Sequence, residues 1–222
     1  MKKASLLSIL FCSVLKASSP QLTSEFELFE LWNSPTAWIR EYVVSVSESL
    51  PNEEIVKSNL ITSYRRLGKS LEPYYGTTKA QEFEKLVTEQ AQLLIRLTEG
   101  LVEQDEDIVA DTQTTLKEHS IILSSFLSKT NPYIPFNLVR NLLSDYLAAF
   151  SRMTKARMDQ QWDKDAQEYK TVRTLSALLS QTFAQAMSNA FPLTRPASQK
   201  IPSTQPTQSL RPAFEKPVIE IF

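Results

Sequence analysis

Apolar residues recur at intervals of three and four from about residue 25 to residue 191, interrupted only by short polar or proline-containing stretches. This spacing places them on one face of an α-helix, whereas a half-buried strand would alternate apolar and polar residues. The chain also contains only three glycines, and an all-β fold uses many more in its turns. We therefore predict an all-α protein, an up-and-down bundle of about six helices.

The interruptions predict where each helix begins and ends. Proline, with glycine in one case, marks turns at 50–52, 71–76 and 130–135, and polar residues mark turns at 103–107 and near 159–160. Asn52 is expected to cap the second helix, ahead of Glu53 and Glu54, whose charges suit a helix N-terminus. The predicted helices span about 25–50, 53–67, 77–103, the end of the acidic stretch to 129, 135–158 and 161–190.

Two segments of the chain are similar to each other. Residues 85–94 (KLVTEQAQLL) and 141–150 (NLLSDYLAAF) share, in register, two apolar residues followed by a hydroxyl and an acidic residue. Each segment opens a long pair of helices, so we expect helices three–four and five–six to form two similar hairpins, with the N-terminal helices packed against them. In the sixth helix, the inward-facing stripe is expected to begin at Trp162.

Both ends of the chain differ from its helical part. Residues 1–19 combine Lys2 and Lys3 with an apolar run and then small residues, the pattern of a secretory signal peptide. The only cysteine, Cys12, lies in that run. Residues 192–222 are rich in Pro, Ser, Thr and Gln, which predicts a disordered tail; its apolar end, VIEIF, is alternatively a docking peptide. We expect a signal peptide at 1–19, a bundle at 20–191 and a tail at 192–222, in a secreted or periplasmic protein.

Four polar residues interrupt the apolar stripes of the long helices: Gln90, His119, Tyr146 and Tyr169. Around a hairpin turn at Gln104, Gln90 lies fourteen residues before the turn and His119 fifteen after it. With a rise of about 1.5 Å per residue, both stand roughly 21 Å from that turn. Tyr146 and Tyr169 stand at similar heights about the next turn, so we expect one polar layer inside an apolar bundle.

This layer has three interpretations. A buried polar group without a partner costs about 1–3 kcal/mol, so the four form either a hydrogen-bonded layer that sets helix register or the lining of a small-ligand pocket. A metal site is the third interpretation, but carboxylate sites in bundles need Glu-x-x-His repeats, and His119 is the only histidine. We favour the first, keep the pocket as the functional alternative and assign no cofactor.

Further residues are candidates for the same site. Glu89 and Asp145 occupy equivalent positions in the two similar segments. Arg40 is expected to reach a buried carboxylate, either Asp145 or Asp165, and Trp38 is expected to contribute mainly buried area. The candidate ligand-binding residues are Gln90, His119, Tyr146, Tyr169, Arg40, Glu89, Asp145, Asp165 and Trp38.

Composition argues against several functional classes. The formal net charge is −1, with Lys and Arg interspersed among Asp and Glu, so we expect no nucleic-acid partner. Three scattered glycines cannot form a phosphate-binding loop or a dinucleotide fingerprint, and no serine stands in a nucleophile elbow. We also expect no stable membrane span and a monomeric or weakly associating protein.

Short motifs across residues 31–191 resemble a family of small all-helical bacterial proteins of uncharacterised function, common in spore-forming Gram-positive bacteria. These motifs are LW…W.R at Leu31, Trp32, Trp38 and Arg40, LP at 50–51, L.PYYG at 71–76, FLS..NP at 126–132, and the residues Arg157, Asp165 and Tyr169. The resemblance implies histidines at three positions that are Pro35, Gln90 and Tyr146 here, and asparagine at the position of His119. It therefore implies a polar centre where the layer is predicted, with most of the family's histidines replaced.

The sequence leaves three functional hypotheses. The first, which we favour, is an exported non-enzymatic binding or interaction module that contacts a small molecule at the central layer or a protein partner. The second is an enzyme or metalloprotein that uses Glu89, His119, Asp145 and Arg40. The third is a secreted factor directed at a host.

Overall fold

The computed structural model describes residues 25–191, with side chains from Phe29 onward. This range contains six α-helices and no strand, which confirms the all-α prediction. The predicted signal peptide and tail lie outside the described residues. The helices are α1 (Glu25–Ser47), α2 (Glu53–Lys69), α3 (Glu72–Glu103), α4 (Glu106–Thr130), α5 (Phe136–Met158) and α6 (Trp162–Ala190).

The observed helix ends agree with the predicted turns apart from two details. α3 begins at Glu72, but Gly76 has φ 79° and ψ 168°, so only one helical turn precedes a kink at this glycine. Asn52 occupies the N-cap position of α2 without capping it, so that prediction is wrong. Its Oδ1 instead accepts a hydrogen bond from Ser45 Oγ at 3.2 Å, which ties α2 to the end of α1.

Consecutive helices contact one another in a closed ring, with α1, α3 and α5 as the inner helices and α2, α4 and α6 as the outer ones. α6 contacts α1 as well as α5, and α1, α3 and α5 also contact one another; α2, α4 and α6 each contact only the two inner helices beside them. Trp32 packs on Phe83 with ring centroids 6.2 Å apart, and the Tyr42 hydroxyl donates to Glu99 Oε1 at 2.9 Å. These two contacts show that the inner helices α1 and α3 run parallel.

The pairs α1–α2, α3–α4 and α5–α6 are three hairpins with the same turn. Each contains one non-glycine residue in the left-handed conformation, with φ of 52°, 58° and 56° at Ser49, Gln104 and Gln160. The amide that follows donates to the carbonyl five residues earlier at 2.8, 2.9 and 2.8 Å, as in a Schellman cap. The two predicted hairpins are present, and α1–α2 adds a third.

Large aromatic side chains fill the centre of the bundle. Tyr42, Phe83 and Phe150 are fully buried, and the Phe83 ring stacks on Phe126 with centroids 5.9 Å apart. Trp162 is not part of this core, contrary to the prediction: half of its surface is exposed. It is the first residue of α6, and its ring contacts only the Arg157 guanidinium near the end of α5, 4.9 Å from the ring centroid, among the aromatic and cation–π contacts of the described residues.

None of the six helices in residues 25–191 combines the length and the apolar character that crossing a membrane requires.

Candidate functional site

Three residues at equivalent positions of the inner helices surround the centre of the bundle. Pro35 on α1, Gln90 on α3 and Tyr146 on α5 each lie fourteen residues before the left-handed residue of their hairpin. Parallel helices that end in the same turn bring such residues to one height and one face. All three line a central pocket of about 40 Å³.

The rest of the lining repeats this pattern. Trp32, Val87 and Leu143 lie one helical turn earlier on the same three helices and also line the pocket. The outer helices and α1 contribute the remaining lining residues, which are Thr36, Tyr64, Leu67, Leu123, Ser176 and Leu179. The pocket is therefore mostly apolar, contains no charged side chain in its lining, and has its polar groups on five of the six helices.

A series of hydroxyl groups crosses the pocket wall. Thr36 Oγ1 donates to Ser176 Oγ at 2.9 Å, and Ser176 Oγ donates to the Trp32 carbonyl at 3.3 Å, so the series joins α1 to α6. The Tyr146 hydroxyl interacts with the side chains of Thr36 and Tyr64. Burial raises the pKa of both Tyr64 and Tyr146, so both phenols stay protonated at neutral pH.

Two polar groups at the pocket lack partners within the described residues. The Gln90 side chain is 93% buried and makes no hydrogen bond to another group of residues 29–191. The indole Nε1 of Trp32 is buried and also has no acceptor there. A water molecule occupies about 30 Å³ in the liquid, so the pocket of about 40 Å³ has room for about one.

His119 and Tyr169 lie outside this pocket, so the predicted layer of four residues is only half correct. His119 is buried, and its Nε2 lies 2.9 Å from the Leu86 carbonyl, to which it donates. Burial lowers the pKa of His119, against the opposing effects of the Leu86 carbonyl and Glu89, and favours the neutral ring. Tyr169 is half-buried on the outer side of the α1–α6 contact.

Tyr64 of α2 fills the place expected of His119. Both lie fifteen residues after the left-handed residue of their hairpin. Treating α1–α2 as a third hairpin would have identified Tyr64 and Pro35 from spacing alone. The hydroxyls of Thr36 and Ser176 had no such signal, because they are common on buried helix faces.

Arg40, Asp165 and Arg157 form a charged cluster at the α5–α6 turn. Arg40 binds the carboxylate of Asp165 through both terminal nitrogens, one of them at 2.6 Å. Arg157 adds a contact to Asp165 at 3.4 Å and one to Glu48 at 3.1 Å. Asp165 is 2% exposed, so α1, α5 and α6 meet around a buried carboxylate. The Arg40 guanidinium also lies 5.2 Å above the Tyr169 ring.

The remaining candidates do not join either group. Asp145 is exposed, so Asp165 is the carboxylate that Arg40 reaches, and the alternative pairing is wrong. Glu89 is half-buried, with Lys85 Nζ 3.7 Å from its carboxylate, and Trp38 packs half-buried against the core. In residues 29–191, no three His, Cys, Asp or Glu side chains are placed to hold one metal ion. Glu89 lies close enough to His119 to affect the pKa of its ring, but Arg40 pairs with Asp165 and Asp145 lies near Arg152, so the four residues do not form one site.

A larger groove runs between α1 and α6 on the other side of the Thr36–Ser176 contact. Its volume is about 540 Å³, and Thr36 lines both this groove and the central pocket. Lys170 and Arg173 are exposed at the groove, and neither forms an ion pair within the described residues. Its lining residues are Phe29, Glu30, Asn33, Ser34, Thr36, Ala37, Ala166, Tyr169, Lys170, Arg173, Thr174 and Ala177.

Comparison of the chain with models of known protein families, with curated proteins and with solved structures finds no match.

Proposed function

We propose that the protein is an exported, non-catalytic binding module that holds a small organic anion in the groove between α1 and α6. The observation that carries this proposal is a groove of about 540 Å³ with two cations that have no ion-pair partner in the described residues. Ligand sites in proteins are typically about 300–1,000 Å³, so the groove has the right size and the central pocket of about 40 Å³ does not.

The lining of the groove favours a ligand with a ring and one acidic group. Phe29 and Tyr169 offer aromatic surface, and the alanines Ala37, Ala166 and Ala177 leave space between the two helices. Lys170 and Arg173 can bind a carboxylate, sulfonate or phosphate; Arg173 does so through two parallel N–H groups. Glu30 is the one acidic lining residue and opposes such a ligand.

The proposal is tested with 8-anilinonaphthalene-1-sulfonate, an aromatic anion whose fluorescence reports binding. Neutralising both cations, Lys170→Gln with Arg173→Gln, should raise the Kd about tenfold or more, since one charge contact at about 4 Å in water is worth about 1 kcal/mol, or about fivefold. Glu30→Gln should lower the Kd, the opposite sign. Lys164→Gln, an exposed lysine of α6 outside the groove, is the matched control and should leave it unchanged.

If the wild-type protein and the double variant bind 8-anilinonaphthalene-1-sulfonate with equal affinity, the groove is not the binding site. Repeating the titration with benzoate and with phenyl phosphate as competitors then distinguishes a carboxylate ligand from a phosphate ligand. Competition should weaken as salt is added, because exposed charges are screened over about 8–10 Å at physiological ionic strength.

Export is a separate part of the proposal and rests on residues 1–19 alone. Expression of the full chain in a bacterial host should yield mature protein outside the cytoplasm with an N-terminus near Ala17 to Ser19. Recovery of a cytoplasmic protein that still begins at Met1 would contradict this part and leave the groove untouched.

A further inference from the structure

We propose that the Tyr169 ring is the surface on which an aromatic anion stacks in the groove between α1 and α6, and that Arg40 and Asp165 position this ring. The inference rests on the function proposed above and specifies how the ligand lies in the groove. Asp165, Tyr169 and Arg173 are spaced four residues apart on α6, so each side chain lies beside the next on the helix surface.

The Tyr169 ring is held in place by a residue of α1. The Arg40 guanidinium lies 5.2 Å from the ring centroid, and the same guanidinium binds Asp165 through both terminal nitrogens. Tyr169 lines the groove and Arg40 does not, so the ring separates the guanidinium from the groove. Since Asp165 is 2% exposed and holds Arg40 in a planar two-point pair, the guanidinium has little freedom, and the ring presents a fixed surface to a ligand.

The charges of the groove select Tyr169, and not Phe29, as the ring that a ligand contacts. Lys170 follows Tyr169 directly, and Arg173 lies about 6 Å further along α6 at 1.5 Å per residue. Phe29 instead precedes Glu30, the acidic lining residue, which repels an anion. A ligand that stacks on Tyr169 can therefore place its acidic group at Arg173. We expect an arylalkyl acid, in which a short chain joins the ring to the acidic group.

The test compares 3-phenylpropionate with 3-cyclohexylpropionate, two anions of equal charge of which only the first has an aromatic face. Titration of the ¹⁵N-labelled full chain, followed at the amide signals of residues 166–177, gives both Kd values. The ratio of the cyclohexyl Kd to the phenyl Kd should fall about two- to tenfold in Tyr169→Leu, since an aromatic pair contributes that much. Tyr169→Phe should keep the wild-type ratio. Phe29→Leu, which removes the other aromatic ring of the lining, is the matched control and should also keep it.

Arg40→Lys tests the positioning role. Lysine keeps the charge but cannot bind Asp165 through two nitrogens while it covers the ring, so the ratio should fall, with no further fall when the change is added to Tyr169→Leu. If Arg40 were only structural, both anions would weaken equally and the ratio would not change. Tyr169→Leu carries the test alone if Arg40→Lys does not fold.

The outcomes separate this inference from the proposed function. An unchanged ratio in Tyr169→Leu, with binding of both anions lost in Lys170→Gln with Arg173→Gln, would overturn the inference and leave the groove as the anion site. Binding of neither anion, or binding that does not need the two cations, would overturn the proposed function and this inference with it.

Discussion

The bundle buries polar side chains in two regions, one of them charged and the other neutral. At the α5–α6 turn, the buried carboxylate of Asp165 meets two arginines, and Arg157 in turn reaches Glu48. At the centre, the buried groups are neutral, and two of them, on Gln90 and Trp32, have no partner in the described residues. In the first region the charges are paired, although the buried Nε of Arg157 makes no hydrogen bond in the described residues; in the second region the unpartnered groups are neutral.

This difference predicts how each region tolerates change. A buried charge is costly when its partner is removed, so the charged cluster fails as a unit. A neutral layer with spare capacity loses only individual hydrogen bonds, each worth about 0.5–1.5 kcal/mol. We therefore expect the two regions to respond differently to the removal of a single side chain.

Asp165→Ala should have the largest effect, lowering the free energy of unfolding by about 3–5 kcal/mol. The substitution leaves Arg40 and Arg157 close together without their shared carboxylate. Urea unfolding followed by circular dichroism measures the change. Asp163→Ala, an exposed residue in the same first turn of α6, is the control and should cost far less. Equal losses for the two would show that the cluster does not hold the helices together.

Acidification should charge His119 and weaken the fold. Burial lowers the pKa of this ring in the folded state, whereas the unfolded chain takes up its proton near pH 6.5. Below about pH 6.5 the unfolded state therefore binds more protons, and stability falls as pH falls, by at most about 1.4 kcal/mol per pH unit.

The pH dependence is measured as the difference between the wild-type protein and His119→Gln, whose amide can still donate to the Leu86 carbonyl. The variant should lose the part of the decline between pH 6.5 and 5 that comes from this ring. Parallel stability curves for the two proteins over that range would contradict the assignment.

Tyr146→Phe should have a moderate effect and lower stability by about 1 kcal/mol, because it removes the hydroxyl that faces Thr36 and Tyr64 and keeps the ring. Tyr133→Phe is the control, since that side chain is more than half exposed. A loss as large as that of Asp165→Ala would show that the hydroxyls act as one cooperative network.

Gln90→Leu should have the smallest effect, a change below about 1 kcal/mol and in the stabilising direction, because a buried amide without a protein partner is replaced by an apolar side chain. Chemical unfolding compares it with Gln92→Leu. A destabilisation above that size would mean that Gln90 holds a hydrogen bond that sets helix register, the interpretation favoured from sequence.

Much of the fold and part of the candidate site could be predicted from the chain alone. Helical spacing located the six helices, and the similarity of residues 85–94 and 141–150 placed Gln90 and Tyr146 at one height. The α1–α2 hairpin was missed as a repeat because residues 30–39 share only the two apolar residues of the other segments and have Asn33 and Ser34 where those have a hydroxyl and an acidic residue. Because this hairpin was missed, Tyr64 was not predicted at the centre of the bundle, and His119 was predicted there instead.

Spacing along each helix is a local property, so the order of residues was enough to specify the helices, their turns and the height at which polar side chains stand. Which of those side chains meet depends on how far each helix is rotated about its axis, and neighbours from distant parts of the chain decide that rotation. Close packing of α1 against α6 put Thr36 and Ser176 between a narrow neutral pocket and a broad cationic groove. No pattern within either helix could reveal that division, because it arises only where the two surfaces touch.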